Sequence, residues 1–479
     1  MIYQVEDTPK TRDIIAGVVQ QILGSLAATI MVPILIGLND HISTAVLGCG
    51  LGTLAYLIIT KRKSPVLLSS NFAFVGALVL AYQGYGFLGI VLGGVFTGLV
   101  YVILSIVVKF SGTRWIDKLF PPVIIGPVVA LIGLTLSTSA VADLVSASGY
   151  IQGDPTSVSP YNLVALFCGL VAFIVVVICS VQNRRKYIQT APFLFGAIAG
   201  YVTAGIFSIF GYCFDIPYLR IIDISPLIDN FKNLSIKSFL DYPRFSLLEG
   251  INELTTGTAK LTPLGVLEIA IAFVPISLVS FSEHIADHKN LSSIINRDLL
   301  NGEPGLSRTL MGDGVGTIVG TAFGICPNTT YGEAVGCIAI TKNASTITII
   351  FTAFAMIGLS FFTPLIALFR TIPSCVIGGL CLVLFGYIAV SGFKMIKNVN
   401  LDKNKNLFTL SVILIAGIGG LCLQIPYQFE LEPETTIYVV SKAVTVTSIA
   451  FALILGIITY FISSSIEKRN KKEDHEKVE

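Results

Sequence analysis

Charged side chains are scarce in this sequence. Asp, Glu, Lys and Arg make up 13% of the 479 residues, and 53% are hydrophobic, whereas a soluble domain carries roughly 25% charged residues. The mean hydropathy is +0.81. This shortage excludes an ordinary soluble domain, and we interpret the chain as an integral membrane protein. With a net charge of +2 and no basic, aromatic patch, nothing indicates nucleic-acid binding.

Motifs for metal-dependent or nucleotide-dependent catalysis are also missing. The sequence has no HExxH motif, no Cys/His cluster and no Gly-rich P-loop, so it predicts no enzyme, no catalytic residue, no metal site and no cofactor. The nine cysteines are scattered through apolar segments, which is typical of small buried hydrophobes. The first thirteen residues are polar and lack the features of a secretory signal.

Long apolar segments are what the sequence has instead. A transmembrane helix needs about 20 mostly apolar residues, and we count fourteen segments. The third and the tenth are too short, or too polar at their starts, to be complete helices. Most of the 31 Lys and Arg residues fall in alternate loops and in the tail, which predicts that both termini are cytoplasmic. We therefore predict an all-α polytopic protein of the cell (plasma or inner) membrane, in contact with the lipid bilayer.

The two halves of the chain show weak internal similarity. Residues 211–261 separate seven segments from seven others, and an odd number in each half makes any repeat inverted. Pro121 and Pro373 match at an offset of 252 residues, while the broken segments, at Phe72 and Tyr331, match at an offset of 259. These near-equal offsets predict a 7+7 inverted repeat.

Polar residues interrupt both broken segments at membrane depth. Residues 69–71 precede a half-helix that we expect to begin near Phe72, and residues 327–330 precede one that begins near Tyr331. Short extended stretches are expected before both starts. Unwound backbone inside a membrane is tolerated only where protein or a water-filled cavity covers it, and free N–H groups at two half-helix starts can bind a small polar ligand. A structural re-entrant loop without a ligand is the alternative.

Three carboxylates lie in or beside the apolar segments. Glu333 falls in the first turn of the second half-helix, and Glu283 and Asp287 share one helix face at i, i+4 spacing. Ionisable groups within membrane spans usually mark a substrate or ion path. A capping role for Glu333 and an interfacial position for the other two are the alternatives. We expect His284 and His288 to be interfacial side chains rather than ligands.

Several motifs occur in the order that is typical of the nucleobase–ascorbate transporter family, over nearly the whole chain. They are residues 28–33 (ATIMVP), 70–74 (SNFAF), 282–288 (SEHIADH), 304–308 (PGLSR) and 327–333 (PNTTYGE). The last of these motifs is specific to this family. The chain thus resembles this family, and within it most resembles the bacterial uracil permeases.

The resemblance implies an architecture and an activity. A core domain (spans 1–4 and 8–11) would move against a gate domain (spans 5–7 and 12–14) in an elevator-type cycle, usually within a homodimer. Cation-coupled symport of a free nucleobase would follow, with H⁺ rather than Na⁺ as the coupling ion and uracil as the substrate. The expected boundaries are a cytoplasmic N-terminus 1–13, core 14–110 and 262–370, gate 111–210 and 371–462, an extracellular connection 211–261 and a cytoplasmic tail 463–479.

The resemblance also implies a binding site. Its substrate-binding set consists of two carboxylates, groups at the two half-helix starts and one residue of the first span: Glu283, Glu333, Phe72, Tyr331, Gly332 and Ala28. Glu283 and Asp287 are the candidate proton-coupling groups.

Four positions depart from the family pattern. Gln21 replaces a histidine of the first span, and Asp287 replaces a histidine found in many bacterial uracil permeases. Ala334 replaces a signature asparagine, and Phe385 stands where a gate-domain tyrosine is common. Because the amide missing at position 334 could bind a base, a xanthine or other purine permease is the alternative substrate class. A more remote alternative is an anion transporter of the shared fold.

Overall fold

The computed structural model describes residues 1–113, 115, 121–146, 161–182, 191–258, 261–431 and 438–476. Some of the basic residues that entered the prediction of cytoplasmic loops lie outside these ranges: Arg114, Lys118, Arg184, Arg185, Lys186 and Lys477. Of the predicted boundaries, all except the end of the tail at 479 fall on described residues.

Helices dominate both halves of the chain. The first half contains α1 (Thr11–Leu35), α2 (Ile42–Ile59), α3 (Val75–Ser111), α4 (Pro122–Val145), α5 (Leu163–Val181) and α6 (Pro192–Cys213). The connection contains α7 (Ser225–Lys232) and α8 (Ser246–Thr256). The second half contains α9 (Pro263–Ile295), α10 (Leu306–Phe323), α11 (Gly332–Thr341), α12 (Thr346–Ser360), α13 (Thr363–Arg370), α14 (Ser374–Met395), α15 (Asn404–Ile418) and α16 (Ser448–Glu476). Proline begins α4, α6 and α9, where its fixed φ suits the first helical turn.

Nine helices of the described residues are long and apolar enough to cross a membrane. They are Thr11–Leu35, Asn39–Ile59, Phe72–Ser111, Pro122–Val145, Leu163–Val181, Pro192–Cys213, Pro263–Ile295, Ser374–Met395 and Ser448–Glu467. This confirms a membrane protein with several spans. The apolar helices α11, α12 and α15 are shorter, so the fourteen-span inverted repeat stays a prediction.

A break in α3 divides the third predicted segment from the fourth. Gly86 has φ +63° and ψ −151° inside the helix, a conformation that only glycine adopts readily. The carboxylate of Glu253, on α8, accepts a hydrogen bond from the N–H of Phe87 at 2.8 Å. A side chain of the 211–261 connection thus caps the helix that restarts after the break.

The long helices pack in two groups. The first packing group contains α1, α2, α3, α9, α10 and α12, and the second contains α4, α5, α6, α14, α15 and α16. Close approach in each group depends on glycine, since a Cβ at Gly48 would collide with the carbonyl of Gly320 and one at Gly133 would collide with the carbonyl of Phe385. Small residues at such crossings are typical of membrane helix packing.

Two short strands join the halves of the first packing group. Strands β1 (Leu68–Ser70) and β2 (Asn328–Thr330) pair antiparallel, with Ser69 opposite Thr329. Each strand leads directly into a helix start, through a 3₁₀ turn at Phe72–Phe74 in the first case and into α11 in the second. The extended stretches expected at the two broken segments are therefore confirmed.

A hairpin between α15 and α16 was not predicted. Strands β3 (Leu423–Leu431) and β4 (Tyr438–Val446) pair antiparallel, and β4 packs against α9. The all-α prediction is wrong for this segment. The reason is local, since β4 is rich in valine and carries tyrosine and threonine, residue types that favour strands.

The N-terminal residues fix the far end of α11. The N–H of Ala344 donates to the carbonyl of Tyr3 at 3.0 Å, and the N–H of Thr346 donates to that of Val5 at 3.0 Å. Val5 is buried. The start of the chain therefore ties the end of α11 to the start of α12.

Candidate functional site

A cavity of about 160 Å³ lies where the two packing groups meet. The half-helix starts and α9 form one wall, and α4 and α14 form the other. Six of the residues predicted from the sequence line it, namely Phe72, Glu283, Asp287, Tyr331, Gly332 and Glu333. Ala28 is not among the lining residues and is buried in the apolar core.

One asparagine organises the first half-helix start. Asn71 Oδ1 accepts a hydrogen bond from the N–H of Ala73 at 2.8 Å, as expected of an N-cap. Its Nδ2 lies 2.7 Å from Ser280 Oγ, 2.9 Å from Thr329 Oγ1 and 3.4 Å from Glu283 Oε2. This side chain thus connects the half-helix, β2 and α9 at one point beside the cavity.

The second half-helix start has a different construction. Tyr331 is the N-cap residue of α11, and its side chain makes no capping hydrogen bond, while Glu333 lies in the first turn. A Cβ built on Gly332 would lie 3.1 Å from Asp287 Oδ1, so the backbone here closely approaches a carboxylate of α9. Negative charge at a helix N-terminus is favoured by the helix dipole.

Glu283 and Asp287 lie within α9 rather than at its end. The helix continues for eight residues beyond Asp287, which is about 12 Å. Both side chains are partly buried and line the cavity together with Glu333. The structure therefore does not support the alternative that placed them at an exposed interface.

The second wall contains residues that sequence reasoning missed. They are Val129 and Ile132 of α4, and Leu384, Tyr387, Ile388, Ser391 and Met395 of α14. The α14 set follows i, i+3, i+4, i+7 spacing, which marks one helix face. That periodicity was visible in the sequence, but an apolar helix gives no signal for which of its faces meets the cavity.

A tyrosine lies two residues from Phe385, the position at which the family commonly has one. The ring of Phe385 is 1% exposed and meets the ring of Phe72 edge-on, with centroids 6.1 Å apart. Tyr387, two residues further along α14, lines the cavity. The tyrosine that lines the cavity from this helix is therefore Tyr387.

Two other departures from the family pattern meet behind the second half-helix. Gln21 is buried, and its Nε2 donates to the backbone carbonyl of Ala334 at 3.3 Å. Its Oε1 is buried without a hydrogen-bond partner among the described residues. Both Gln21 and Ala334 lie outside the cavity lining, and their hydrogen bond connects α1 to α11.

His284 and His288 are not interfacial. Both side chains are fully buried inside the first packing group, so the expectation drawn from hydropathy is wrong. They hydrogen-bond to α10 and α2 instead.

The cavity can bind a small, neutral, polar ring. Carboxylates of Glu283 and Glu333 accept hydrogen bonds, and N–H groups at the half-helix starts donate them. Phe72 and Tyr387 provide aromatic surfaces. No Lys or Arg is among the lining residues of the described chain.

Known sequences similar to this chain are membrane permeases. Uracil permease of Bacillus caldolyticus is 33% identical over 432 residues, covering 90% of each chain. Uracil permease of Bacillus subtilis (strain 168) is 32% identical over 476 residues, covering 98% of each chain. Both alignments are long enough to include the two broken segments, and the second also includes the hairpin.

A solved structure shares the fold at low sequence identity. Murine Slc26a9, an anion transporter in the inward-facing state, matches with a TM-score of 0.60 and 9% identity, over 96% of this chain and 69% of that one. At this identity the likeness concerns the fold alone.

A family model described as "Permease family" (Xan_ur_permease) matches residues 12–425. This range includes the half-helix starts and the three carboxylates of the cavity. It confirms the resemblance derived from the motifs: the chain belongs to the Xan_ur_permease family of permeases.

Proposed function

We propose that this protein imports uracil across the cell membrane by cation-coupled symport, with H⁺ as the coupling ion. The observation that carries the proposal is a cavity in which Glu283 and Glu333 meet two half-helix starts. Neutral uracil has two N–H donors and two carbonyl acceptors, which match carboxylates and free backbone N–H groups. The names of the two Bacillus relatives support this substrate.

The transport cycle is proposed to be of the elevator type. The first packing group would be the core domain (14–110 and 262–370) and the second the gate domain (111–210 and 371–462), in a fourteen-span inverted repeat. The position of the cavity between the two groups supports this assignment, because sliding one wall past the other exposes the cavity to alternate sides. Both termini (1–13 and 463–479) would be cytoplasmic, the 211–261 connection extracellular, and the protein a homodimer.

Proton coupling is assigned to the cavity carboxylates. Glu283 and Asp287 stand one turn apart on α9 and share the cavity with Glu333. Three negative charges so close together repel each other, so binding of one proton is favoured. A proton carried here would reach the other side together with the base.

Two other substrate classes are weaker candidates. Ala334, in place of the family's asparagine, removes a possible donor and acceptor and so weakens the choice of base, which keeps a purine such as xanthine as the alternative. An anion, suggested by the Slc26a9 fold, is disfavoured by a lining with three carboxylates and no basic residue in the described chain.

Uptake of labelled uracil tests the proposal. Permease-deficient cells expressing the chain are assayed with and without excess unlabelled xanthine, with a protonophore, and in Na⁺-free medium. Saturable uptake that survives xanthine and Na⁺ removal but not the protonophore is expected. Uptake that xanthine suppresses would indicate a purine permease. Uptake that requires Na⁺ would show that Na⁺, and not H⁺, is the coupling ion.

A further inference from the structure

A second cavity, of about 450 Å³, lies between the two packing groups. Residues of α1 from Ile22 to Ile34 form one side of it, and residues of α6 and α14 form the other. Side chains of α12 and α13 also line it. Among the described residues, this space, which we call the apolar cavity, shares no lining residue with the cavity of the carboxylates. The two cavities are therefore separate sites.

The lining of the apolar cavity gives water nothing to bind. Among the described lining residues, only Tyr201 has a side-chain oxygen or nitrogen atom. Its hydroxyl already forms a hydrogen bond with Thr371 Oγ1, at 2.7 Å. A buried water molecule needs two to four polar partners, and an empty space would deprive the lining side chains of dispersion contacts. The occupant that suits this cavity is therefore apolar.

The apolar cavity reaches the outer surface of the helix bundle. Ile198 and Val202 of α6 line it and are 51% and 55% exposed, and Leu368 of α13, also in the lining, is 40% exposed. Because α6 is one of the helices long and apolar enough to cross a membrane, the surface at these residues faces lipid hydrocarbon. An apolar occupant can thus enter directly from the bilayer.

The length of the apolar cavity matches one leaflet of a membrane. Its lining on α1 runs from Ile22 to Ile34, which is about 18 Å along the helix axis. Since α1 extends from Thr11 to Leu35, the cavity follows the second half of this span. Half of the hydrocarbon core of a bilayer is about 15 Å thick. A single lipid acyl chain, extended from the headgroup to the centre of the membrane, has this length.

An ion pair lies beside one end of the apolar cavity. Arg370 directly follows the lining residue Phe369, and its guanidinium pairs with Asp40, which comes shortly after the end of α1. The side chains of Arg370 and Asp40 are 36% and 68% exposed. Exposed charged groups are costly in hydrocarbon and lie at the level of the lipid headgroups. The cavity thus begins beside a polar boundary and runs toward the centre of the membrane, which is the orientation of a lipid chain.

We propose that the apolar cavity holds one acyl chain of a bilayer phospholipid, whose headgroup lies beside Asp40 and Arg370. The chain fills the space between α1 of the first packing group and α6 and α14 of the second. Because an acyl chain is fluid and is bonded to neither group, it keeps this interface filled while the groups move past each other. This second step rests on the proposed function, in which transport is of the elevator type.

Photo-crosslinking tests the lipid site without any substrate. The protein is reconstituted in vesicles of phosphatidylethanolamine and phosphatidylglycerol that contain a small fraction of phosphatidylcholine with a diazirine on one acyl chain, and adducts are mapped by mass spectrometry after illumination. We expect adducts on Leu26 and Met31, which line the cavity and are 7% and 3% exposed. Ile103 of α3, which is 58% exposed, reports lipid on the outer surface. Labelling of Ile103 without Leu26 or Met31 overturns the proposal.

A large side chain in the apolar cavity should exclude the lipid. Ala197 of α6 lines the cavity, and we expect Ala197→Trp to reduce the adducts on Leu26 and Met31 by about tenfold or more, which corresponds to about 1.4 kcal/mol. Ala199→Trp is the matched control, because Ala199 lies on the same helix but is not among the lining residues. Equal adduct yields in the two variants and the wild type would contradict a chain bound in this cavity.

The role of the chain in transport is tested by uracil uptake into the same vesicles. A tryptophan at position 197 is fixed to α6 and wedges it against α1, so we expect the maximal rate of Ala197→Trp to fall several-fold while KM is unchanged. Ala199→Trp should keep the wild-type rate and KM. A wild-type rate in Ala197→Trp overturns the role in transport. A wild type without uracil uptake overturns the proposed function instead, and in both cases the crosslinking result still decides the lipid site.

Discussion

The half-helix that begins at Phe72 and the one that begins at Gly332 both follow a three-residue strand, but their first N–H groups meet different partners. In the first, Asn71 caps the N–H of Ala73 and also reaches Ser280, Thr329 and Glu283. In the second, the side chain of the N-cap residue Tyr331 makes no capping hydrogen bond. One N–H of the first start is thus occupied by its own N-cap side chain, while the second start receives no such cap.

This difference indicates that the two half-helix starts have different roles in the wall of the cavity that they share. The first half-helix provides a rigid wall, because one asparagine fixes it to β2 and α9. The second carries Glu333 and approaches Asp287, so under the proposed function it would combine ligand binding with charge. Changes at the second start should therefore affect transport most, and changes at the first start should affect stability more.

The largest effect is expected from Glu333→Gln. Loss of the carboxylate removes a charged acceptor, worth about 1.5–3 kcal/mol, and we expect uracil uptake to fall by about tenfold to a hundredfold or more. Glu283→Gln, on α9 in the same wall of the cavity, is the matched variant and should impair binding or coupling. Uptake assays on cells with equal amounts of protein in the membrane decide the point, and near-normal uptake by Glu333→Gln would remove this residue from the mechanism.

The second-largest effect on uptake is expected from adding a methyl group at the second half-helix start. In Gly332→Ala the new Cβ would lie 3.1 Å from Asp287 Oδ1, so either the carboxylate or α11 must shift, and we expect uptake to fall by several-fold. Gly336→Ala is the control on the same helix, because its Cβ would have no neighbour within 4 Å and alanine favours helix. Equal uptake by the two variants would show that the approach to Asp287 is irrelevant.

The first start should show its role mainly in stability. Asn71→Ala removes the cap and should cost about 1 kcal/mol of folding free energy, seen as a lower melting temperature of the purified protein. Asn71→Ser restores a capping oxygen without the amide contacts to Ser280, Thr329 and Glu283. If Asn71→Ser recovers stability but not uptake, the capping hydrogen bond and the amide contacts have separate roles. If neither variant loses stability or uptake, the role assigned to Asn71 is wrong.

The smallest effect is expected on the opposite wall. Tyr387→Phe removes the hydroxyl of a tyrosine that lines the cavity but keeps its ring, so we expect apparent affinity for uracil to weaken by a few-fold, consistent with about 1 kcal/mol for a neutral hydrogen bond. The Tyr387→Leu variant, which also removes the ring, should weaken affinity further. Unchanged uptake kinetics in Tyr387→Phe would show that the hydroxyl does not contribute to uracil affinity and that only the ring can.

Local signals in the sequence were enough for the half-helix starts and the carboxylates. A run of consecutive polar residues that interrupts an apolar segment leaves unwound backbone, which must be covered by protein or line a cavity, and an acidic residue there is costly. Both patterns involve residues close together in the chain. That is why Phe72, Glu283, Tyr331 and Glu333 could be named before the fold was known, whereas Gly332 was added by the family resemblance.

Other features needed the tertiary structure. Ala28 was expected beside the pocket but lies in the core, and Tyr387 lines the cavity although attention had gone to Phe385. An apolar helix looks similar on every face, so its sequence gives little indication of which face meets a cavity. Hydropathy likewise placed His284 and His288 at an interface, because it does not register Asp313 and Tyr56, which satisfy them from other helices.

The sequence by itself determined that this is a membrane protein with two interrupted segments and acidic groups at membrane depth, because burying charge and unpaired backbone in a bilayer is too costly to be accidental. The tertiary structure decided which side chains meet. It brought β1 to β2 across 258 residues of chain, set Asp287 against the start of α11, and paired the histidines with α10 and α2. Those contacts join residues distant in the chain, and only the packing of whole helices selects them.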